Sequence, residues 1–279
     1  MDEVLREAPA ALRDALAERG TEVEAAWREG PRAYLPAGEL FARYSLADVD
    51  VPVFEHEARV RALVGESGPL RAPAVLAQGP GWLLERRVVP HEEPVEVVVA
   101  AAVELARLEL PAPPVAPRRR LSLAPVRRRL RLAGRPRLAA EVARARRLLA
   151  ASRLPEVTTH GDFHPGNVLR SGAAAWVIDW ELAGRGPAGS DLLRYWATLR
   201  DPAERDVVWA GALELGDELE LARLRYAVAV LIAADKLSHP QELNRDDAGG
   251  TNLLALLPEL RAAARLARSR SGREAGRRA

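Results

Sequence analysis

Residues 160–181 read His-Gly-Asp-Phe-His-Pro-Gly-Asn-Val-Leu-Arg-Ser-Gly-Ala-Ala-Ala-Trp-Val-Ile-Asp-Trp-Glu, and this stretch decides the fold. It places Asp162 in a short loop shaped by glycine and proline, Asn167 five positions later, and Asp179 at the end of a second apolar run. The two apolar runs, separated by a short turn, predict two short strands. Two carboxylates and one amide beside such strands indicate a site that handles a proton and a divalent cation.

These three side chains together favour phosphoryl transfer from a nucleoside triphosphate. Asp162 can accept the proton of an attacking hydroxyl, while Asn167 and Asp179 can hold Mg²⁺ against the phosphates. The spacing Asp-x₄-Asn matches the catalytic loop of kinases, and Ile-Asp-Trp follows where kinases carry a second metal-binding Asp. Alone, Asp162 would be read as a residue that caps a turn. The agreement of three parts in order and spacing indicates catalysis instead.

The composition indicates a globular protein without membrane or secretory segments. The chain is 48% hydrophobic and 29% charged, and no apolar run approaches the roughly 20 residues of a membrane span. The acidic N-terminus lacks the charge and apolar layout of a secretory signal. Zero cysteines exclude disulfides and thiolate chemistry, which fits a reducing compartment. We therefore expect a cytoplasmic protein with no membrane association.

The charges are unevenly distributed although the net charge is only +2. Residues 118–147 contain twelve arginines and one acid, Glu141. Such a run is most often a charged helix face, and neither interleaved aromatics nor a strongly basic whole supports a nucleic-acid partner. A substrate with phosphate or carboxylate groups could use it. Acidic residues at 214–220 and 246–247 would suit a cationic amino sugar, although surface helices explain them equally well.

The order of the periodic segments predicts an α+β fold with two lobes, as in protein kinases. We expect a small β-rich N-lobe over residues 1–90 and a larger, mostly helical C-lobe over residues 91–279. The N-lobe pattern predicts a helix over 3–18, two or three strands within 22–45, a helix over 54–64, and strands near 74–77 and 82–86. The C-lobe pattern predicts helices over 96–108, 120–132, 137–151, 190–199, 203–213, 218–236 and 252–268, a proline-rich connector at 111–117, and a strand-and-loop island at 156–180.

On these residues the chain resembles the aminoglycoside phosphotransferase and choline kinase family, the small-molecule branch of the protein-kinase-like fold. The resemblance is sharp over 160–196 and moderate over 52–110. It implies ATP or GTP as the phosphate donor, Mg²⁺ as the metal, and a hydroxyl of a small molecule as the acceptor. The residues that it implies are the catalytic base Asp162 and the nucleotide and metal ligands Asn167 and Asp179, in a catalytic loop over 160–167 and a metal-binding segment over 176–181.

The resemblance also implies supporting residues. His160 and Asp191 correspond to a buried pair that braces the catalytic loop. Residues 82–90, which include Glu85 and Arg86, resemble the hinge whose backbone holds an adenine edge.

One part of the family pattern is missing from this chain. The family places a lysine on the third N-lobe strand to hold the α- and β-phosphates, but Lys236 is the only lysine here. Arg43 is the best positional candidate, and Glu57 resembles the helix carboxylate that pairs with such a cation. Arg binds phosphate through a planar fork and is not equivalent to Lys. Gly30 alone stands where the loop over the nucleotide usually has two or three glycines.

Two other functions fit parts of the sequence. The missing lysine and sparse glycine loop would also fit a nucleotide- or ligand-binding pseudokinase that has lost catalysis. The spacing His160-x-Asp162-x-His164 would fit ligands of a zinc hydrolase, although a catalytic zinc site needs three converging protein ligands. Among kinase acceptors, the sequence agrees with aminoglycosides, macrolides, homoserine-like metabolites, choline-like amines and natural-product intermediates.

Overall fold

A computed structural model describes residues 2–109, 134–238 and 255–265 of the chain. The contacts among these residues form two compact units. Unit 1 takes in the described residues up to 101, residue 109, and residues 166–184. Unit 2 takes in residues 102–108 and the remaining described residues. These units are defined by contacts, and the lobe boundary predicted at residue 90 stays a prediction beside them.

Unit 1 contains a five-stranded antiparallel sheet. A two-residue turn at Gly30-Pro31 joins its first two strands, with Gly30 at φ +62°. Because this backbone conformation is strained for other residues, glycine suits the turn. The strands are β1 (Trp27–Glu29), β2 (Arg32–Ala37), β3 (Leu40–Ser45), β5 (Val75–Gly79) and β6 (Trp82–Arg86), in the order β1-β2-β3-β6-β5, and a separate short strand β4 (Leu70–Arg71) lies outside this sheet.

Three helices cover the two faces of this sheet. They are α1 (Asp2–Glu7), α2 (Ala10–Ala17) and α3 (Val51–Val64). Alternate residues of β2 and β3, such as Leu35 and Ala42, pack with Leu12 of α2 in one fully buried cluster. Each buried leucine of this kind stabilises the fold by about 1.5–3 kcal/mol. On the other face Leu83 packs against Phe54 of α3. Arg43 alternates with Ala42 along β3 and therefore points to the α3 side.

Four strands carry the segment that the sequence predicts to be functional. Strands β8 (Val168–Ser171) and β9 (Ala174–Val177) form a hairpin in which Val168 lies opposite Val177. Its two turn residues, Gly172 and Ala173, both have positive φ, 60° and 57°, as the favoured tight hairpin turn requires. Strand β9 also pairs in parallel with β4. The four strands are β7 (Glu156–Thr159), β8 (Val168–Ser171), β9 (Ala174–Val177) and β10 (Gly184–Pro187).

Unit 2 is built mainly of helices that pack on one long helix. That helix, α8 (Glu218–Ser238), packs against α5 (Pro136–Ala150) and α6 (Ser190–Thr198). Helix α7 (Pro202–Leu213) packs against α6. Arg225 of α8 lies over the ring of Trp209, with its guanidinium carbon 3.8 Å from the ring centroid. The described helices from residue 96 onward are α4 (Glu96–Arg107), α5 (Pro136–Ala150), α6 (Ser190–Thr198), α7 (Pro202–Leu213), α8 (Glu218–Ser238) and α9 (255–265), of which α4 spans both units.

Most predicted elements are found within a few residues of their expected bounds. The helix expected over 3–18 is divided into α1 and α2, because Pro9 lacks the backbone donor that a helix interior needs. The connector at 111–117 and the helix at 120–132 lie outside the described residues. In the described part of the chain, no helix combines the length and the apolar character that crossing a bilayer requires.

Candidate active site

The loop that follows β7 in unit 2 is anchored by one buried carboxylate. Asp191, in the first turn of α6, accepts hydrogen bonds from the backbone N–H of His160 at 2.7 Å and of Gly161 at 3.1 Å. Burial raises the pKa of Asp191 to about 6, although these two bonds oppose the shift. His160 is fully buried, and its Nδ1 accepts a hydrogen bond from the backbone N–H of Asp162. The two residues predicted to brace the loop are thus joined through the backbone of His160.

The predicted base, Asp162, is held by a histidine and an arginine within unit 2. Its Oδ2 lies 3.5 Å from Nε2 of His164, and its Oδ1 contacts Nη2 of Arg194 on α6. Burial raises the pKa of Asp162, but the hydrogen bond from His164 and the charge of Arg194 outweigh it and lower the pKa to about 2. Asp162 is therefore ionised at neutral pH, and both of its oxygens can accept a hydrogen bond from a hydroxyl.

The two predicted metal ligands lie at the same end of the β8–β9 hairpin in unit 1. Asn167 immediately precedes β8, and its backbone carbonyl accepts a hydrogen bond of 2.9 Å from the backbone N–H of Ile178. Asp179 is the next residue along the chain. It adopts a left-handed conformation, with φ 62° and ψ 58°, in which only few non-glycine residues are found. The antiparallel register therefore brings the positions of Asn167 and Asp179 together.

A buried ion network lies between the sheet of unit 1 and α3. We define it as Arg43, Glu57, Arg61, Glu85 and Asp179. Oε1 of Glu57 accepts hydrogen bonds of 2.6 Å from Nη2 of Arg43 and from Nη2 of Arg61. Nη1 of Arg61 contacts Oε2 of Glu85. Four of the five residues are at most 8% exposed, so their charges are compensated mainly by one another.

Arg43 is the member of this network that also faces Asp179. Its Nη1 lies 3.6 Å from Oδ1 of Asp179, and its Nη2 lies 3.6 Å from Oε2 of Glu85. Burial lowers the pKa of Arg43, but the surrounding carboxylates outweigh it and raise the pKa above its ordinary value. Nε of Arg43 is buried and has no hydrogen-bond partner among the described residues. This guanidinium therefore keeps one N–H donor that no described group accepts.

The surroundings of Asp179 fit a divalent cation. Burial and, as the next largest cause, the negative charge of Glu57 raise the pKa of Asp179 to about 6 despite the nearby Arg43. Its Oδ1 is buried and has no hydrogen-bond partner in the described part of the chain. The side chain as a whole is 31% exposed, so part of it reaches solvent. A carboxylate and an amide oxygen are hard ligands of the kind that Mg²⁺ prefers, and a cation would stabilise the charged form of Asp179.

The ligands expected for a zinc site are not gathered in the described residues. Across 2–109, 134–238 and 255–265, no group of three or more His, Cys, Asp or Glu side chains is arranged to hold a metal ion. The Asn167 and Asp179 pair is outside such a group because one of its ligands is an amide.

The predicted hinge begins inside a strand. The backbone N–H of Arg86 donates to the carbonyl of Ala74, and that of Arg87 donates to the carbonyl of Glu39. The side chain of Glu85 belongs to the buried ion network, and that of Arg86 pairs with Glu66 on the surface. The contacts of Glu85 and Arg86 are therefore to protein groups, which leaves the segment after Arg87 as the part that could contact a nucleotide base through its backbone.

The structure groups the predicted site residues into two sets, one in each unit. Sequence reasoning missed two cations, Arg61 and Arg194. Arg61 follows Glu57 by four residues on a helix, and this i,i+4 spacing is a signal that could have revealed the pair. Nothing in the sequence relates Arg194 to Asp162, because they lie on different elements. In unit 1 the structure brings together Arg43, Glu57, Glu85 and Asp179, with Asn167 beside Asp179 in the hairpin register; in unit 2 it brings together His160, Asp162 and Asp191.

Comparisons with solved structures show the fold. A choline/ethanolamine kinase family protein from Mesorhizobium loti aligns with a TM-score of 0.60 and 19% identity, over 94% of each chain. The streptomycin–ATP ternary complex of APH(2")-IIa aligns with a TM-score of 0.57 and 12% identity, over 91% of this chain and 98% of the other. Macrolide 2'-phosphotransferase MphH from Brachybacterium faecium aligns with a TM-score of 0.54 and 15% identity, over 92% and 97%. The predicted kinase-like fold is confirmed.

A comparison of sequences identifies the family. No curated protein sequence matches the chain significantly. The sequence profile of the phosphotransferase enzyme family matches residues 36–227, which is more than half of the chain and includes every predicted site residue. The chain therefore belongs to the phosphotransferase enzyme family.

Proposed function

We propose that the protein transfers the γ-phosphoryl group of a magnesium-bound nucleoside triphosphate to a hydroxyl group of a small molecule. One observation carries this proposal. The two motif aspartates lie in opposite electrostatic environments, because the pKa of Asp162 is lowered to about 2 and that of Asp179 is raised to about 6. Carboxylates whose environments separate their pKa values in this way usually have different chemical roles.

Asp162 is the proposed acceptor of the hydroxyl proton. In the reaction the hydroxyl oxygen forms a bond to the γ-phosphorus, the bond from that phosphorus to the bridging oxygen breaks, and the nucleoside diphosphate leaves. The hydroxyl proton passes to the carboxylate of Asp162 and then to solvent. A base with so low a pKa acts mainly by orienting the hydroxyl, which agrees with a transition state that needs little proton removal before bond formation.

Asn167 and Asp179 are the proposed ligands of Mg²⁺, which when bound would neutralise charge on the phosphates. Arg43 takes the place of the family's lysine in this proposal, because its guanidinium lies 3.6 Å from Asp179 and guanidinium groups form paired hydrogen bonds with phosphate. Glu57 and Arg61 orient Arg43. The names of two neighbours support the substrate classes, since one is a streptomycin–ATP ternary complex and the other is a macrolide 2'-phosphotransferase.

A coupled assay of nucleoside diphosphate formation tests this proposal. The substrates are Mg-ATP or Mg-GTP with a panel of aminoglycosides, macrolides, choline and ethanolamine. We expect turnover with at least one acceptor and a decrease of about 10²–10⁴-fold in Asp162→Asn. That variant should still bind nucleotide, as measured by the thermal shift that the nucleotide causes. The matched control is Asp206→Asn, an exposed aspartate on α7, which should keep full activity.

Two results would contradict the proposal. Undiminished transfer by Asp162→Asn would mean that another group handles the hydroxyl. Thermal stabilisation by Mg-nucleotide without turnover on any acceptor would favour the pseudokinase. The involvement of Arg43 in the buried ion network is the observation that favours this second function, since one of its nitrogens is already bonded to Glu57.

A further inference from the structure

An arginine-lined cavity lies among three helices of unit 2, and the proposed reaction makes no use of it. The cavity has a volume of about 590 Å³, within the range of about 300–1,000 Å³ that is typical of small-molecule sites. None of its lining residues is a predicted site residue. Five arginines line it: Arg144, Arg147, Arg223, Arg261 and Arg265.

Helical periodicity explains why these arginines converge. On α5, Arg144 and Arg147 are three residues apart, and Leu148 and Ala151 continue the same face. On α9, Arg261 and Arg265 are four residues apart, and on α8 Arg223 is one turn before Tyr226. Each helix therefore presents one face to the cavity. The arginines of α5 belong to the basic run 118–147 that the sequence singled out.

One carboxylate ties together the three helices that line the cavity. Glu141 of α5 accepts a hydrogen bond from the buried hydroxyl of Tyr226 on α8 and pairs at 2.8 Å with Nη2 of Arg261 on α9. Arg223 pairs at 2.6 Å with Glu220 on its own helix. These contacts join all three helices and hold two of the five arginines in place.

The other three arginines lack such partners. Arg144, Arg147 and Arg265 make no side-chain hydrogen bond or ion pair with any residue in the described ranges. Among the described residues, the five arginines and the two carboxylates that pair with them, Glu141 and Glu220, leave an excess of three positive charges. Guanidinium groups form paired hydrogen bonds with phosphate and carboxylate, so a multivalent anion would relieve this repulsion and use the free donors.

We infer that this cavity is a second binding site, which takes a small metabolite with two or more phosphate or carboxylate groups. The apolar lining residues Leu148, Ala151 and Ala264 would contact a compact carbon skeleton between those groups. The site goes beyond the phosphoryl transfer proposed above and does not depend on it.

Calorimetry with inorganic pyrophosphate tests the inference, with inorganic monophosphate as the probe of lower charge. We expect wild-type protein to bind pyrophosphate more tightly than monophosphate, and the double variant Arg147→Gln/Arg265→Gln to lose at least tenfold in affinity. The matched control is Arg137→Gln/Arg146→Gln, which removes the same charge from exposed positions of α5 outside the cavity. Its affinity should stay within about twofold of wild type.

Nuclear magnetic resonance locates the bound anion independently. The Nε–Hε signals of Arg144, Arg147 and Arg265 should shift on addition of pyrophosphate, whereas that of Arg146 should not. Wild-type affinity in both double variants would place the anion elsewhere, for example beside Arg43, and would overturn the inference. Equal losses in both would reduce it to general attraction by net charge and would also overturn it. Thermal melting within about 2 °C of wild type would show that the variants are folded.

Discussion

Removal of Arg61 is the sharpest test of the buried ion network. The substitution Arg61→Met keeps the length and apolar stem of the side chain but removes a cation that is only 2% exposed. Arg61 bonds to Glu57 at 2.6 Å and contacts Glu85. The network contains two cations and three carboxylates, so the substitution changes its formal charge from −1 to −2. Arg43 would then be the one cation of the network left to pair with Glu57 and Glu85.

The expected cost follows from the depth of these charges. Two charges about 4 Å apart interact by about 4 kcal/mol at the effective dielectric constant typical of protein sites. Breaking a buried pair by removing one partner costs about 3–5 kcal/mol, because the remaining charge stays buried without compensation. We therefore expect Arg61→Met to be destabilised by about 4 kcal/mol, which corresponds to a melting temperature lower by about 8–16 °C.

Thermal melting and urea denaturation measure this effect against a matched control. Arg59→Met removes the same charge from an exposed position two residues earlier on α3, and it should change stability by no more than about 0.5 kcal/mol. If Arg61→Met melts within 2 °C of Arg59→Met, the network contributes little and the reasoning is refuted.

The dependence on pH gives a second readout of the same variant. Burial raises the pKa of Glu57, but Arg43 and Arg61 outweigh it and lower the pKa from its ordinary value of 4.5 to about 2. A lowered folded-state pKa stabilises the protein above the unfolded value, and this contribution disappears as the pH falls toward the folded value. The difference between wild type and Arg61→Met should therefore be full at pH 7 and shrink between about pH 4.5 and pH 2.

Two further substitutions test contacts in unit 2. Arg194→Met should raise the pKa of Asp162 by about 1 unit, because a cation in contact with the carboxylate is lost. A carbon-13 titration of labelled aspartate measures this pKa. An unchanged pKa would mean that His164, without Arg194, is sufficient to keep it low. Asp201→Ala should destabilise the protein by about 1 kcal/mol in urea denaturation, because the carboxylate of Asp201 caps α7 by accepting a 2.9 Å hydrogen bond from the backbone N–H of Ala203. Asp201→Asn should retain most of that stability, and equal losses in both variants would indicate an effect of charge rather than of capping.

Local patterns were sufficient to predict most elements of this fold. The hairpin of β8 and β9 follows from two apolar runs around a two-residue turn, and the helix that contains Glu57 follows from its spacing, because each depends on residues close in the chain. The predictions of family, of the kinase-like fold and of a small-molecule phosphotransferase are confirmed. The break at Pro9 was missed, since the helical spacing continues across it.

The roles assigned to Asp162, Asn167 and Asp179 came from the order of residues in one segment, and the sequence alone determined those candidates. Only the tertiary structure decided their environments. It placed His164 and Arg194 against Asp162, which lower its pKa, and it buried Asp179 near Glu57, which raises its pKa, so two identical side chains shift in opposite directions. It also gathered five arginines from three helices around one cavity. Periodicity reports which face of an element is apolar, but burial and charge pairing depend on which elements meet, and that is a property of packing across the whole chain.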